Sequence, residues 1–174
     1  MQLTDDDFAL FGLPQRHALN REQLDARRRE LQAKVHPDRF ASEDAAAQRV
    51  AMQWAVRVNE AYKHLKDPLL RGAELCKLRG VSIDAERNTA MPAAFLMQQM
   101  AWREALEDAA DTAQVQALDE TVASQERAML AALTELLDQQ QNTPAAAAQV
   151  RALMFVARFR QDIARRLDLL DAHR

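Results

Sequence analysis

The sequence predicts an all-α chain: an antiparallel helical hairpin with short flanking helices, followed by a C-terminal three-helix bundle. Three observations carry this prediction. Helix breakers are scarce, with 3 Gly and 5 Pro among 174 residues, while the good helix formers Ala, Leu, Gln, Glu and Arg abound. Apolar residues recur at three- and four-residue intervals over long stretches, and no strand-like alternation is sustained. The prolines, at 14, 37, 68, 92 and 144, fall between these stretches and so punctuate them.

The bulk numbers narrow the function. The chain is 48% hydrophobic and 28% charged, with a formal net charge of -3, so non-specific attraction to nucleic acid or an anionic membrane is not expected. The acidic start, Met1 to Asp7, lacks the basic and apolar regions of a targeting peptide. No apolar run approaches bilayer-spanning length. The single cysteine, Cys76, excludes an intrachain disulfide and fits a reducing cytosol, so a cytoplasmic location is expected. No Gly-rich phosphate loop is present.

Taken in order, Phe8 to Leu13 is a short apolar segment ended by Gly12 and Pro14, and predicts a short first helix. Asn20 with Gln23 forms a capping box opening a helix over 21–36, whose apolar face is Leu24, Leu31 and Val35. Arg28 falls in that same stripe, its stem lying along apolar surface while the guanidinium reaches water. Pro37 lacks an amide hydrogen and disfavours helix at the residue before it, so this helix stops at about His36 and leaves His36 and Asp38 on an exposed turn. Ser42 is the expected N-cap of the next helix, over 43–66, with Val50, Trp54, Val58, Ala61 and Leu65 inward. Two long helices joined by a short loop predict an antiparallel hairpin. Asp67-Pro68 begins a further short helix that Gly80 ends.

Residues 81–92 read as a linker rich in breakers, with a turn or two of ordered structure at most. Three helices follow. The first, over 93–110, has Phe95, Trp102, Leu106 and Ala109 inward, and leaves Leu96, Met97, Met100, Glu104 and Asp108 on its other side. Two readings stand: a more fully buried helix packed against the first domain, or a partner surface of apolar anchors with an acidic border, to which methionines adapt their shape. The second, over 113–140, carries Val115, Leu118, Val122, Met129, Leu133 and Leu136 in a nearly heptad stripe. The third, over 145–170 beyond Thr143-Pro144, carries Leu153, Val156, Phe159, Ile163, Leu167 and Leu170, with Phe155 at the edge. Arg158, Arg160, Arg165 and Arg166 are expected to meet the negative end of its dipole.

The Leu-Gly-Leu-Pro-like start, the basic helix, His36-Pro37-Asp38-Arg39-Phe40 and the run Asn59-Glu60-Ala61-Tyr62 through Asp67-Pro68 resemble a J-domain. The resemblance implies docking on an ATP-driven chaperone of the DnaK or HscA class and stimulation of its ATPase. It makes His36, Pro37 and Asp38 the triggering turn, with Arg27, Arg29 and Lys34, assisted by Arg39, facing an acidic chaperone surface. Arg28 stands where the family usually has an aromatic. With Phe8-x-Leu10-Phe11-Gly12-Leu13-Pro14, Asp67-Pro68-Leu69-x-Arg71 and Ala94-Phe95-Leu96-Met97 followed by Arg103-Glu104-x-Leu106, the likeness extends over nearly the whole chain, and resembles the HscB family of co-chaperones in iron–sulfur cluster biogenesis. It implies a J-domain over 1–79, a linker over 80–92 and, over 93–174, a bundle that binds an IscU-type cluster scaffold. Carried over by position, the scaffold patch is Leu96, Met97, Met100, Glu104, Asp108 and Phe155, with Ala101 at a position often acidic in the family.

The rival readings are weaker. His36 and Asp38 as an acid/base pair lack a neighbouring nucleophile, so no enzyme is expected. His17, His36, His64, His173 and Cys76 form no pair at ligand spacing, and one cysteine does not hold an iron–sulfur cluster, so no cofactor or metal is expected. Acidic residues interleaved with the basic ones oppose nucleic-acid binding. A general co-chaperone for unfolded clients is the alternative. The chain lacks the Gly/Phe-rich linker and Cys-rich repeats of such proteins.

Overall fold

A computed structural model describes residues 2–40, 43–84 and 90–172. Every regular element among them is helical. Contacts divide the chain into two compact units, Met1–Leu75 and Cys76–Arg174.

In the first unit, α1 (Asp7–Phe11) is capped by Asp6, which accepts from the Ala9 amide, and ends at Gly12, whose φ of 62° lies in the left-handed region that glycine enters without strain. α2 (Arg21–Val35) opens on the expected cap, the Asn20 side chain accepting from the Gln23 amide. α3 (Ala45–Lys66) packs on α2 and on α1. The core contains Phe8, Phe11, Leu24, Leu31, Val35, Val58, Ala61 and Leu65, all buried. Burying each large side chain contributes about 1.5–3 kcal/mol.

Buried polar groups tie these helices together. The Asp7 carboxylate is buried and bonded to Arg57 Nη1 at 2.6 Å and His64 Nδ1 at 2.8 Å, both from α3, which offsets the cost of desolvating it. Arg57 also donates to the carbonyls of Leu3 and Asp5. His17 is buried with Nε2 2.8 Å from the Pro68 carbonyl oxygen, so this nitrogen carries the proton and holds the start of α4 (Pro68–Leu78). Asp67 caps α4 by accepting from the amides of Leu69 and Leu70, and Gly80, at φ 80°, follows its end.

Three expectations for the hairpin and the last helix need correction. The cap of α3 is Asp44, which accepts from the Ala47 amide; Ser42 lies outside the described residues. Val50 is 49% exposed and Ala51 takes the inward position. Steps of four advance about 40° each, so Val50 lies about 80° from Val58 while Ala51 lies within about 20° of it. Finally, the last helix runs on past its arginines to Ala172, so none lies in its last turn.

The second unit holds α5 (Ala93–Asp108), α6 (Thr112–Asp138) and α7 (Thr143–Ala172). Asp111 caps α6 and the Asn142 side chain accepts from the Ala145 amide at the start of α7. Val115, Val122, Met129, Leu133, Val150, Leu153, Val156 and Ile163 fill the core, with Leu137 fully buried where Leu136 is only half-buried. Two of the α7 arginines, Arg160 and Arg166, act laterally. Arg160 bonds Asp119 and Glu126 of α6, the Asp119 hydrogen bond being the chief cause that raises its pKa, and Arg166 donates to the Ala109 carbonyl beyond α5. Arg79 donates to the Leu137 carbonyl and Arg151 to that of Ile83, so the chain after α4 is held within this unit. No helix among the described residues is long and apolar enough to cross a membrane.

Candidate functional site

The turn after α2 is built by its own backbone. His36 has left helical geometry at ψ 126°, and Pro37–Phe40 form one 3-10 helix in which the Arg39 amide bonds the His36 carbonyl. Arg39 Nη1 reaches back to the Ala33 carbonyl at 2.9 Å, satisfying an acceptor that the helix end leaves open. His36 Nδ1 accepts from the Asp38 amide at 3.3 Å, which leaves the proton of the neutral ring on Nε2. The same Nδ1 lies 3.4 Å from Asp38 Oδ2. Both side chains are exposed, His36 at 57% and Asp38 at 89%, so solvent screens their contact and both are open to a partner.

The basic residues expected beside this turn do not share one face. Arg27 pairs with Glu30, and its guanidinium lies toward Gly12 at the end of α1. Lys34 occupies the same row as Arg27, a heptad later. Arg29 lies about 140–160° around the helix from both. It is on the side of Asp25, whose pKa it helps to lower. That side carries Arg21, Asp25, Arg28 and Gln32, and faces a matching row on α3: Ala55, Asn59, Tyr62 and Lys66. His36 belongs with these rows. Together with Gln32, Val35, Ala55 and Asn59 it lines a groove of about 400 Å³. The spacing i, i+4, i+7, i+11 repeated in both helices was the available sequence signal for this surface.

Tyr62 organises the rows. Its hydroxyl donates to Asp25 at 2.8 Å, Arg21 bonds both Asp25 and the Tyr62 oxygen, and the Arg28 guanidinium lies over the ring, its carbon 4.1 Å from the centroid. Arg28 is therefore paired with an aromatic across the helices. The Tyr62 hydrogen bond is the largest cause holding the Asp25 carboxyl below its ordinary value, with Arg21 contributing. A carboxyl lowered by folding stabilises above its unfolded pKa and loses that contribution as pH falls through the folded value. Tyr62→Phe is expected to raise the Asp25 pKa, as read from its carboxyl carbon shift against pH, and to move the loss of this contribution to higher pH.

In the second unit, Leu96, Met97 and Met100 are 46%, 70% and 70% exposed on α5. Leu96, Met100, Glu104 and Asp108 form one row of steps of four, and Met97 flanks it. Glu104 and Asp108 are exposed at the end of this row. The opposite face of α5 fixes the helix: Trp102 is buried and stacked on Phe159 of α7, ring centroids 5.9 Å apart and planes 14° apart. Phe155 is half-buried one turn before Phe159. Gln99 shares the inward row with Phe95, Trp102 and Leu106, a polar member that the apolar pattern omits. Trp102→Ala is expected to destabilise the bundle by about 3–5 kcal/mol in denaturant unfolding.

A family model described as "HSCB C-terminal oligomerisation domain" matches residues 91–164. The chain is 51% identical over 174 residues to the "Co-chaperone protein HscB homolog" of Burkholderia mallei (strain SAVP1), covering 98% of this chain and 99% of the relative. The solved structure "Chaperone HscB from Vibrio cholerae" matches with a TM-score of 0.82 at 37% identity, covering 95% of this chain and 99% of that one. The human co-chaperone HscB shares the fold, with a TM-score of 0.89 at 24% identity over 94% of this chain and 83% of that one. The fold is that of an all-α J-domain followed by a C-terminal helical bundle. By sequence and by fold, the chain belongs to the HscB family of co-chaperones.

Proposed function

We propose that this co-chaperone stimulates the ATPase of an HscA-class chaperone through its J-domain, residues 1–79, and delivers an IscU-type scaffold to it through the bundle, residues 93–174, for iron–sulfur cluster maturation. The observation that carries the reading is the exposure of His36 and Asp38 on a turn held from behind by Arg39. In the other unit, exposed Leu96, Met97 and Met100 supply the apolar anchors of a protein interface, with Glu104 and Asp108 as its polar border and Phe155 at its edge. On the chaperone side, Pro37 shapes the turn, Arg29 lies on the flank of His36, and Arg27 and Lys34 form a separate basic row.

Holding the scaffold beside the chaperone raises its local concentration at the chaperone's peptide site. Contact at His36-Pro37-Asp38 then accelerates hydrolysis, and the client is trapped. The hydrolytic groups belong to the chaperone, so this chain performs no chemistry itself. A pull-down from cell extract with and without the Leu96, Met97 and Met100 to Ala changes tests the client. Recovery of one cluster scaffold, lost in the triple variant, supports this reading; capture of many unfolded chains by both forms overturns it in favour of a general co-chaperone.

A further inference from the structure

Arg28 is half-buried in the stripe of α2 that otherwise packs inward, and its guanidinium lies over the Tyr62 ring. We propose that Arg28 is a specificity-determining residue of the docking face, engaging a carboxylate on an acidic surface of the ATP-driven chaperone; the inference rests on the function proposed above. A contact of the guanidinium carbon with a ring face engages the cation's charge and takes up no hydrogen-bond acceptor. Among the described residues, Arg28 makes no hydrogen bond or ion pair, and its buried Nε is unsatisfied. The nearest carboxylate of the cluster, Asp25, is already occupied by the Tyr62 hydroxyl and Arg21.

The cluster thus has surplus positive charge. Arg21 and Lys66 lie 5.8 and 5.9 Å from the centroid of the same Tyr62 ring, so three cations surround one ring and one carboxylate. The strip runs on to the trigger through neutral groups. Gln32 bonds Asn59 at 3.2 Å in the next positions of the two rows, and both line the groove that His36 borders. A partner seated on His36 and Asp38 would meet Arg28 along this strip. With Nε buried, the terminal Nη groups are left to meet a carboxylate, which the pair can bind bidentately. An aromatic at the same position would keep the packing on Tyr62 and supply no charge.

The test uses the full chain with Arg28→Phe, which keeps a flat group to pack on Tyr62 and removes the charge. The steady-state ATPase rate of an HscA-class chaperone is titrated with wild-type and variant chains at low and moderate salt. The expected result is about a tenfold rise in the concentration for half-maximal stimulation, with unchanged maximal stimulation and a shallower salt dependence. Arg28→Gln, which removes the charge but keeps a polar side chain, is expected to do the same and serves if the phenylalanine form does not fold. An unchanged half-maximal concentration in either folded variant makes Arg28 a packing residue and overturns the proposal. A lowered maximum at unchanged half-maximal concentration overturns it too. If wild type stimulates and His36→Gln does not, such a result concerns Arg28 alone; a silent wild type overturns the function as well.

Discussion

His36→Gln is expected to abolish stimulation of the chaperone's ATPase, by about 30-fold or more, the size of a hot-spot loss near 2 kcal/mol, while leaving scaffold binding unchanged. The imidazole is a short, rigid group whose Nδ1 accepts from the Asp38 amide, which directs a donor on Nε2 outward. Glutamine places its amide on a longer, rotatable stem and gives up that internal bond, so the outward donor is no longer fixed. The fold should survive. The Arg39 amide bonds the backbone carbonyl of His36, and Arg39 bonds Ala33, so the turn does not depend on the ring. Steady-state ATPase rates across a titration of each chain make the measurement. A His36→Gln chain that stimulates as well as wild type would remove the turn from the mechanism.

Changing Leu96, Met97 and Met100 together to Ala should have the reverse effect. Each anchor, if central to the interface, contributes about 1–3 kcal/mol, and because neighbouring losses are not additive, the triple change should weaken scaffold binding at least about 100-fold. All three side chains are exposed on α5, opposite the Trp102 side that packs on Phe159, so removing them costs the bundle little. Calorimetric titration with an IscU-type scaffold measures the loss. ATPase stimulation without scaffold should be unaffected. Loss of both activities from either set of changes, in chains still folded by circular dichroism, would refute a division of labour between the units.

Most of the fold was legible because it rests on local rules. Asn20, Gly12, Pro37, Asp67 and Pro68 act on their immediate backbone, and the helix boundaries they set agree with the structure. Exposed Leu96, Met97 and Met100 were legible for the same reason: Trp102 and its row already occupy the inward face of α5. The misreadings arose where periodicity had to choose between adjacent candidates. Val50 against Ala51 and Leu136 against Leu137 differ by one residue, and which packs inward depends on the neighbouring helix.

The sequence by itself determined the all-α class, the exposed turn at His36-Pro37-Asp38 and the apolar row on α5, since each follows from spacing and backbone chemistry along one segment. Only the tertiary structure decided the company these residues keep. Arg28 looked like a misplaced charge until α3 brought Tyr62 against it, and Arg27, Arg29 and Lys34 looked like one basic set until the helix separated them. The physical reason is the same in both cases. A cation's environment is set by groups distant in sequence: Tyr62 joins Arg28 only when the hairpin closes, as Asp7 meets Arg57 and His64 only when α1 packs on α3.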